Sequence, residues 1–312
     1  MVIPNLNKEA KDFDFINKER GKNMKSILLN DDRIENYFYK NPWRYKFSRD
    51  YAFNYVINEF QSVQKWEKKL NILDIGCGNG WFSLNANLTN KDSWDCIDIS
   101  KEAINIANVY KNKLCIDKNT YFINSIENFK SKKKYDIITC VNSLHHINNL
   151  ELFILKIKKY LKKEGRVFIY DVSSDKFSKV NASFILLIRI ILESTKNIYY
   201  FEKFKDLDID IKLKKIVYEW QNETEGGKQS IHDHFNSTHK IISYLTNSFE
   251  QVYFKKGGGI LTRLLGGLRG NIISIEKLAN QLIYFEELLI KEKIIQPYFY
   301  TYIGKNKEEK HA

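Results

Sequence analysis

Residues 71–84, "NILDIGCGNGWFSL", decide how the rest of the chain is read. An apolar run is broken only by Asp74 and ends in glycines at alternate positions, Gly76, Gly78 and Gly80. A short apolar run bounded by glycine reads as a buried strand. The glycines permit a tight turn and the close approach of backbone to a ligand. A helix starting at Trp81 would add free N–H groups and a positive dipole end at the same place.

Outward from this stretch the chain alternates strands and helices. "WDCIDI" (94–99), "TYFIN" (120–124), "YDIITCV" (135–141) and "RVFIYDV" (166–172) read as four more buried strands. Ser100 is a good N-cap for a helix whose inner face is Ala103, Ile106, Ala107 and Tyr110. Leu150, Phe153, Ile154, Ile157 and Leu161 form a second stripe, with Gly165 as its stop signal. With "FEQVYF" (249–254) and "PYFYTYI" (297–303), the pattern predicts an α/β fold. Its sheet would be doubly wound, Rossmann-like, seven-stranded and mostly parallel, with helical lid insertions.

The expected organisation is an N-terminal arm or cap (1–48), a core (49–172) opening with a helix over about 49–69, a helical substrate insertion (173–240), and a completion of the core (241–312). Within the last part, 257–295 begins as "GGGILTRLLGGLRGN" and continues as a long helix. Its stripe of Ile272, Ile275, Leu278, Leu282, Phe285 and Leu289 reads as a core or lid face rather than a dimer seam.

Composition bounds the function. The chain has 312 residues, 43% of them hydrophobic, so it can bury a sizeable core. No apolar run reaches membrane-spanning length; the longest, "FILLIRIIL" (184–192), is interrupted by Arg189. The N-terminus lacks the order of a signal peptide, and Cys77, Cys96, Cys115 and Cys140 form no CxxC pair. A cytoplasmic protein with free thiols and no metal site is expected. The net charge of +12 fits a nucleic-acid or anionic-membrane partner. It fits better a lysine-, asparagine- and isoleucine-rich composition, because the lysines are scattered and the one dense run, "KSKKK" (130–134), reads as a solvated loop.

Asp98 ends the second strand, 22 residues after Gly76, where a carboxylate can take both hydroxyls of a ribose. A dinucleotide fingerprint would need its third glycine at the position of Trp81. Tryptophan cannot replace glycine there, so the dinucleotide reading loses ground on that one residue.

The stretch resembles the first motif of class I S-adenosylmethionine-dependent methyltransferases, D-x-G-x-G-x-G, here Asp74 to Gly80. The resemblance runs over about residues 70–172. It implies S-adenosylmethionine as cofactor and S-adenosylhomocysteine as product. Asp74 would favour the ammonium, and backbone N–H groups over Gly76, Cys77, Gly78, Asn79 and Gly80 the carboxylate. "CIDIS" (96–100) resembles the second motif, with Asp98 on the ribose and Ile99 beside it. "NSIENF" (124–129) stands at the third, with Ser125 where an acid often meets the adenine amino group and Ile126 supplying an N–H. Val141 and Asn142 would flank the methionine moiety.

Methyl transfer from a sulfonium is an in-line displacement, and a base is needed only where the nucleophile must lose a proton. His234 is the candidate base, within "IHDHF" (231–235), against the alternative of a surface loop. Candidate substrate residues are His146, His232, Arg263 and Arg269, the arginines against an alternative of solvated charges beside a hinge. His145 reads as packing or a cap. Tyr37, Phe38, Tyr39, Trp43, Tyr45 and Phe47 either cap the cofactor pocket or pack the arm onto the sheet. The expected function is methylation of O or N on a small organic acceptor, in natural-product or cell-envelope metabolism. The alternatives are an RNA methyltransferase, disfavoured because "VNSLHH" (141–146) replaces N/D-P-P-Y/F, and a non-catalytic cofactor-binding module.

Overall fold

The structure, a computed structural model, describes residues 6–21, 26–28, 45–63, 68–197, 207–221 and 236–307. Its strands are β1 (Asn71–Ile75), β2 (Ser93–Asp98), β3 (Asn119–Ile123), β4 (Tyr135–Val141), β5 (Leu161–Val172), β6 (Phe249–Gly257) and β7 (Phe299–Asn306). They form one seven-stranded sheet in the order β3-β2-β1-β4-β5-β7-β6. All pairs from β3 through β5 are parallel, and β7 runs antiparallel to both β5 and β6. The α/β reading of the sequence is thus correct.

The helices are α1 (Leu6–Gly21), α2 (Lys46–Arg49), α3 (Tyr55–Val63), α4 (Trp81–Ala86), α5 (Lys101–Lys113), α6 (Leu150–Tyr160), α7 (Lys179–Ser194), α8 (Ile209–Gln221), α9 (Thr238–Ser248), α10 (Thr262–Leu265) and α11 (Ile272–Lys291). A π-helical turn, Asp50–Asn54, joins α2 to α3. Alternation along each strand sends neighbours to opposite faces. Ile72, Cys96, Ile137 and Phe168 pack with Val56 and Phe60 of α3 on one face. Leu73, Ile97, Ile138 and Ile169 pack with Phe153 and Ile157 of α6 on the other. A third cluster gathers α7, α8, α10 and α11 around Val172 and Tyr298, at the carboxyl end of β5.

Several local expectations shift. Gly165 does not stop a helix: α6 ends at Tyr160 and β5 begins at Leu161. Between Tyr135 and Ile137 of β4 the partner jumps from Leu161 to Arg166, so Gly165 lies in an irregularity where a Cβ would stand 2.7 Å from Leu161 Cγ. The helix expected over 49–69 begins earlier, at Lys46, and passes through the π turn before reaching Val63. In α5 the core position belongs to Ile104, and Ile106 is only half-buried.

The glycine-rich segment is closely packed. Gly259 has φ +111°, and a Cβ there would overlap the Phe299 ring. Gly259→Ala is expected to destabilise the protein by about 3 kcal/mol, from overpacking plus a left-handed backbone. Urea unfolding followed by circular dichroism checks it, and a change below about 0.5 kcal/mol would contradict this packing.

Candidate functional site

The chain reverses its order across the sheet between β1 and β4, and the crevice outside these carboxyl ends is the ligand site of such folds. The loop after β1 lies there. Gly76, Gly78 and Gly80 have φ of 69°, 52° and 78°. Their reasons differ. A Cβ on Gly76 would overlap the Ser143 side chain, and one on Gly80 would press on Tyr121 and Ala107 at 2.9–3.2 Å. At Gly78 a Cβ would meet nothing within 4 Å. Gly78 is therefore the open point of the loop, and Gly80 performs the helix-packing role that the dinucleotide fingerprint gives to a later glycine.

Most of the loop's N–H groups bond within the chain. Gly76 and Cys77 donate to Ile97 O at 2.9 and 3.1 Å, Gly80 donates to Cys77 O at 3.0 Å, and Trp81 donates to Asn79 Oδ1 at 3.2 Å. Gly78 donates to Asp98 Oδ2 at 2.8 Å. Of the N–H groups expected to hold a carboxylate, those of Gly76, Cys77, Gly78 and Gly80 are engaged within the chain. Cys77 is buried, and burial pushes its thiol up.

What the site offers instead is acceptors. Asp74 is buried, its Oδ1 accepts the Thr139 hydroxyl at 2.7 Å, and its Oδ2 has no hydrogen-bond partner among the described residues. Burial pushes its carboxyl up to about 7, with the Asp98 charge adding to the shift. Asn142, at φ 53°, donates its backbone N–H to Tyr170 O at 2.7 Å and likewise has a buried, unpartnered Oδ1. Unpartnered buried acceptors at the ends of β1 and β4 suit a cationic, N–H-rich group.

Asp98 closes the β2 side. Its Oδ1 accepts the Ser100 N–H at 2.8 Å. Its pKa is raised by burial, against the Ser100, Gly78 and Ile99 N–H groups. Ser100 caps α5 as expected, accepting from Ala103 N at 3.1 Å. Asp14 of α1 accepts both the Ser100 hydroxyl (2.8 Å) and the Glu102 N–H (3.0 Å). The same helix sets Phe13 edge-on to His146, 6.0 Å between ring centroids, so α1 crosses the crevice from β2 to β4. Ser125 starts a turn, its carbonyl accepting from Phe129 N at 2.9 Å, and Ile126 and Val141 are buried.

The remaining candidates disperse. His145 is buried, and its Nδ1 and backbone N–H both bond Asp171. That pair fixes the turn after β4. Arg269 Nη1 donates to Gly266 O (3.2 Å) and Leu268 O (2.8 Å), binding its own turn. His232, His234 and the Arg263 side chain lie outside the described residues, as do Tyr37, Phe38, Tyr39 and Trp43. Tyr45 and Phe47 pack into the cluster around α10, with the Tyr45 hydroxyl on Leu268 O at 2.9 Å. Among the described residues no group of three or more acids, histidines and cysteines could hold a metal. Sequence reasoning passed over Tyr51 and Glu286. The signal was present: Glu286 falls at helical spacing from Ala279 and Leu282, a carboxylate on an apolar stripe.

A sequence model of the family described as "Methyltransferase domain" matches residues 66–225. The "Ubiquinone biosynthesis O-methyltransferase" of Pelagibacter ubique is 35% identical over 159 residues, 47% of this chain and 61% of that protein. The protein of the same name from Rickettsia akari is 32% identical over 168 residues, 48% of this chain and 63% of that one. The chain thus spans under two thirds of the length of these curated relatives. In fold, it resembles geranyl diphosphate C-methyltransferase from Streptomyces coelicolor A3(2), solved with Mg2+, geranyl diphosphate and S-adenosyl-L-homocysteine. The TM-score is 0.52 at 10% identity, covering 98% of this chain and 100% of that one.

Asp74 makes a pH signature. Its raised pKa means that the folded state binds its proton more tightly than the unfolded state does. Its ionised form therefore weakens the fold above about pH 7, and the penalty is relieved as pH falls toward the ordinary carboxylate value. Asp74→Asn is expected to raise thermal stability at about pH 8 and leave it nearly unchanged at about pH 4. Melting curves of both proteins at the two pH values test this, and an equal effect at both would refute it.

Proposed function

Because the chain belongs to the class I S-adenosylmethionine-dependent methyltransferase family, we propose that it transfers a methyl group from that cofactor to an oxygen of a small organic acceptor. The observation that carries the reading is the juxtaposition of the buried Asp74 and Asn142 oxygens, the open face at Gly78 and the Asp98 carboxylate, all around the switch point. The two unpartnered oxygens would hold the ammonium. Asp98, anchored by the Gly78 and Ser100 N–H groups, keeps lone pairs on both oxygens for a ribose diol. Trp81 and Phe53, 4.6 Å apart, would wall the site on the α3 side.

The cofactor, when bound, supplies an activated methyl on a neutral leaving group. The chain's work is then to hold the acceptor oxygen in line and keep water out. The acceptor we infer is a hydroxyl on an intermediate of ubiquinone biosynthesis, following the names of the two relatives. No helix among the described residues is long and apolar enough to cross a membrane. A cytoplasmic setting is supported by Cys77, Cys96 and Cys140 remaining free thiols within the core.

Calorimetry with S-adenosylmethionine is expected to show one site. Asp98→Ala should weaken it about 10- to 100-fold, the worth of hydrogen bonds to a charged group. Labelled methyl should then appear on the oxygen of catechol-type acceptors. Binding unaffected by Asp98→Ala would sink the cofactor placement, and transfer only to amines would sink the O-methylation.

A further inference from the structure

A second buried carboxylate lies outside the crevice. Glu286 is fully buried on the inner face of α11 beside Ile275 and Ala279. Its Oε1 accepts the Ile260 N–H at 2.9 Å, and its Oε2 accepts the Tyr51 hydroxyl. The Tyr51 oxygen itself accepts the Gly259 N–H at 2.6 Å. Gly258 makes the room, since a Cβ there would stand 2.5 Å from Oε2 and 3.0 Å from the Tyr51 hydroxyl. The pair thus joins the π turn to α11, and the glycine-rich loop between them supplies the N–H groups that hold it.

Its position matters as much as its chemistry. Phe53 of the same π turn packs on Trp81, the first helical residue after the cofactor loop. Tyr170, whose carbonyl takes the Asn142 N–H, interacts electrostatically with both Tyr51 and Glu286 and stacks on Phe299 at 5.0 Å. The pair therefore sits over the carboxyl end of β5, the start of β7 and the end of β6. In the proposed reading the cofactor spans the ends of β2, β1 and β4. The sheet continues beyond β4 through β5, β7 and β6, the side on which this pair lies.

Resting on that reading, we propose that Tyr51 and Glu286 form the proton relay that deprotonates the acceptor hydroxyl. As the acceptor oxygen bonds to the methyl carbon, its proton passes to the Tyr51 oxygen, and the Tyr51 proton passes to Glu286. The electron pair of the broken carbon–sulfur bond stays on sulfur, and Glu286 later returns its proton to solvent. Tyr51 has a lone pair for this, because Gly259 occupies only one. The transfer is concerted, since burial and Glu286 push the Tyr51 phenol far above its ordinary value and no tyrosinate accumulates. Burial, opposed by Tyr51 and the Ile260, Gly259 and Leu261 N–H groups, places the Glu286 carboxyl at about 7. The titratable groups facing the pair are Tyr170 of β5 and, next to it, Tyr55 and Glu59 of α3. A carboxylate near neutrality suits a general base.

The test uses the full chain with Tyr51→Phe, Glu286→Gln and Glu286→Asp, each first titrated with S-adenosylhomocysteine to show an intact cofactor site. Methyl transfer to catechols is then followed as kcat/KM across about pH 5–9. The wild type should lose activity on the acid side with an apparent pKa near 7. Tyr51→Phe and Glu286→Gln should lower the rate about 10²- to 10⁴-fold and abolish that limb, with partial recovery in Glu286→Asp. Variants that bind S-adenosylhomocysteine normally yet keep the wild-type rate and acid limb overturn the relay. So does a wild type that binds S-adenosylhomocysteine but methylates no catechol, which leaves the cofactor placement standing. A wild type that binds no cofactor overturns both.

Discussion

Asp98 accepts from Gly78 with one carboxylate oxygen and from Ser100 with the other, and the architecture of the crevice follows from that bridge. The first bond sets the open point of the glycine loop against the end of β2. The second orients Ser100, which caps α5 and meets Asp14 of α1. Three otherwise separate pieces of chain are thereby registered on one side chain. Burial raises the pKa of Asp98, and the N–H groups offset that penalty by favouring the ionised form. A ribose diol would be better served by this state, since a carboxylate accepts strongly on both oxygens and carries no competing proton.

The sheet was legible because its strands are short, continuous and apolar between polar connectors, and β1 and β4 are buried almost throughout. Ends were less legible where tertiary packing overrode a local signal. Gly165 carries the mark of a helix stop, yet Leu161 already pairs with Tyr135, and the glycine is used where the strand register shifts. The residues expected to hold a cofactor could be placed on the fold, because motif order fixes them on the carboxyl ends of successive strands. Their donors could not, since whether the N–H of Gly76 or Cys77 faces a ligand or Ile97 depends on backbone direction, which sequence does not specify. Tyr51 and Glu286 are 235 positions apart, and no local pattern announces a pair formed through tertiary contact.

Charge shows a comparable gap between chain and fold. The lysines look scattered in sequence, but topology brings many of them to the amino ends of the strands. Lys68 and Lys69 precede β1, Lys91 precedes β2, Lys118 precedes β3, and Lys132, Lys133 and Lys134 precede β4. There Lys162 and Lys68 share Asp136 at 2.8 and 3.2 Å, and Lys118 and Lys134 donate to the carbonyls of Lys91 and Lys159. The helices α5 and α6 also finish at this end with lysines in their last turns, where carbonyls and the negative dipole end favour cations. The opposite end holds Asp74, Asp98, Asp171 and Glu286, all buried or half-buried. Acids at the amino ends, such as Asp136 and Asp95, are thus paired with lysines, whereas Asp74 at the opposite end keeps a carboxylate oxygen unpartnered among the described residues, where an ammonium would bind.

The glycines complete the argument, because they separate two demands that look alike in sequence. Gly78 leaves space that no protein atom fills, and Gly76, Gly80, Gly258 and Gly259 each admit another residue's side chain where a Cβ would collide. The first kind serves a ligand and the second serves precision. Gly258 lets a buried carboxylate reach a phenol, and Gly259 gives its N–H to that phenol while a phenylalanine ring occupies the place of its missing Cβ. Substituting Gly78 strains a left-handed backbone but meets no neighbouring atom, so any steric effect falls on what enters the crevice. Substituting Gly258 moves Glu286 or Tyr51 even with the crevice empty. One residue type is therefore put to opposite uses, with room kept open in the loop after β1 and room consumed at the buried acid.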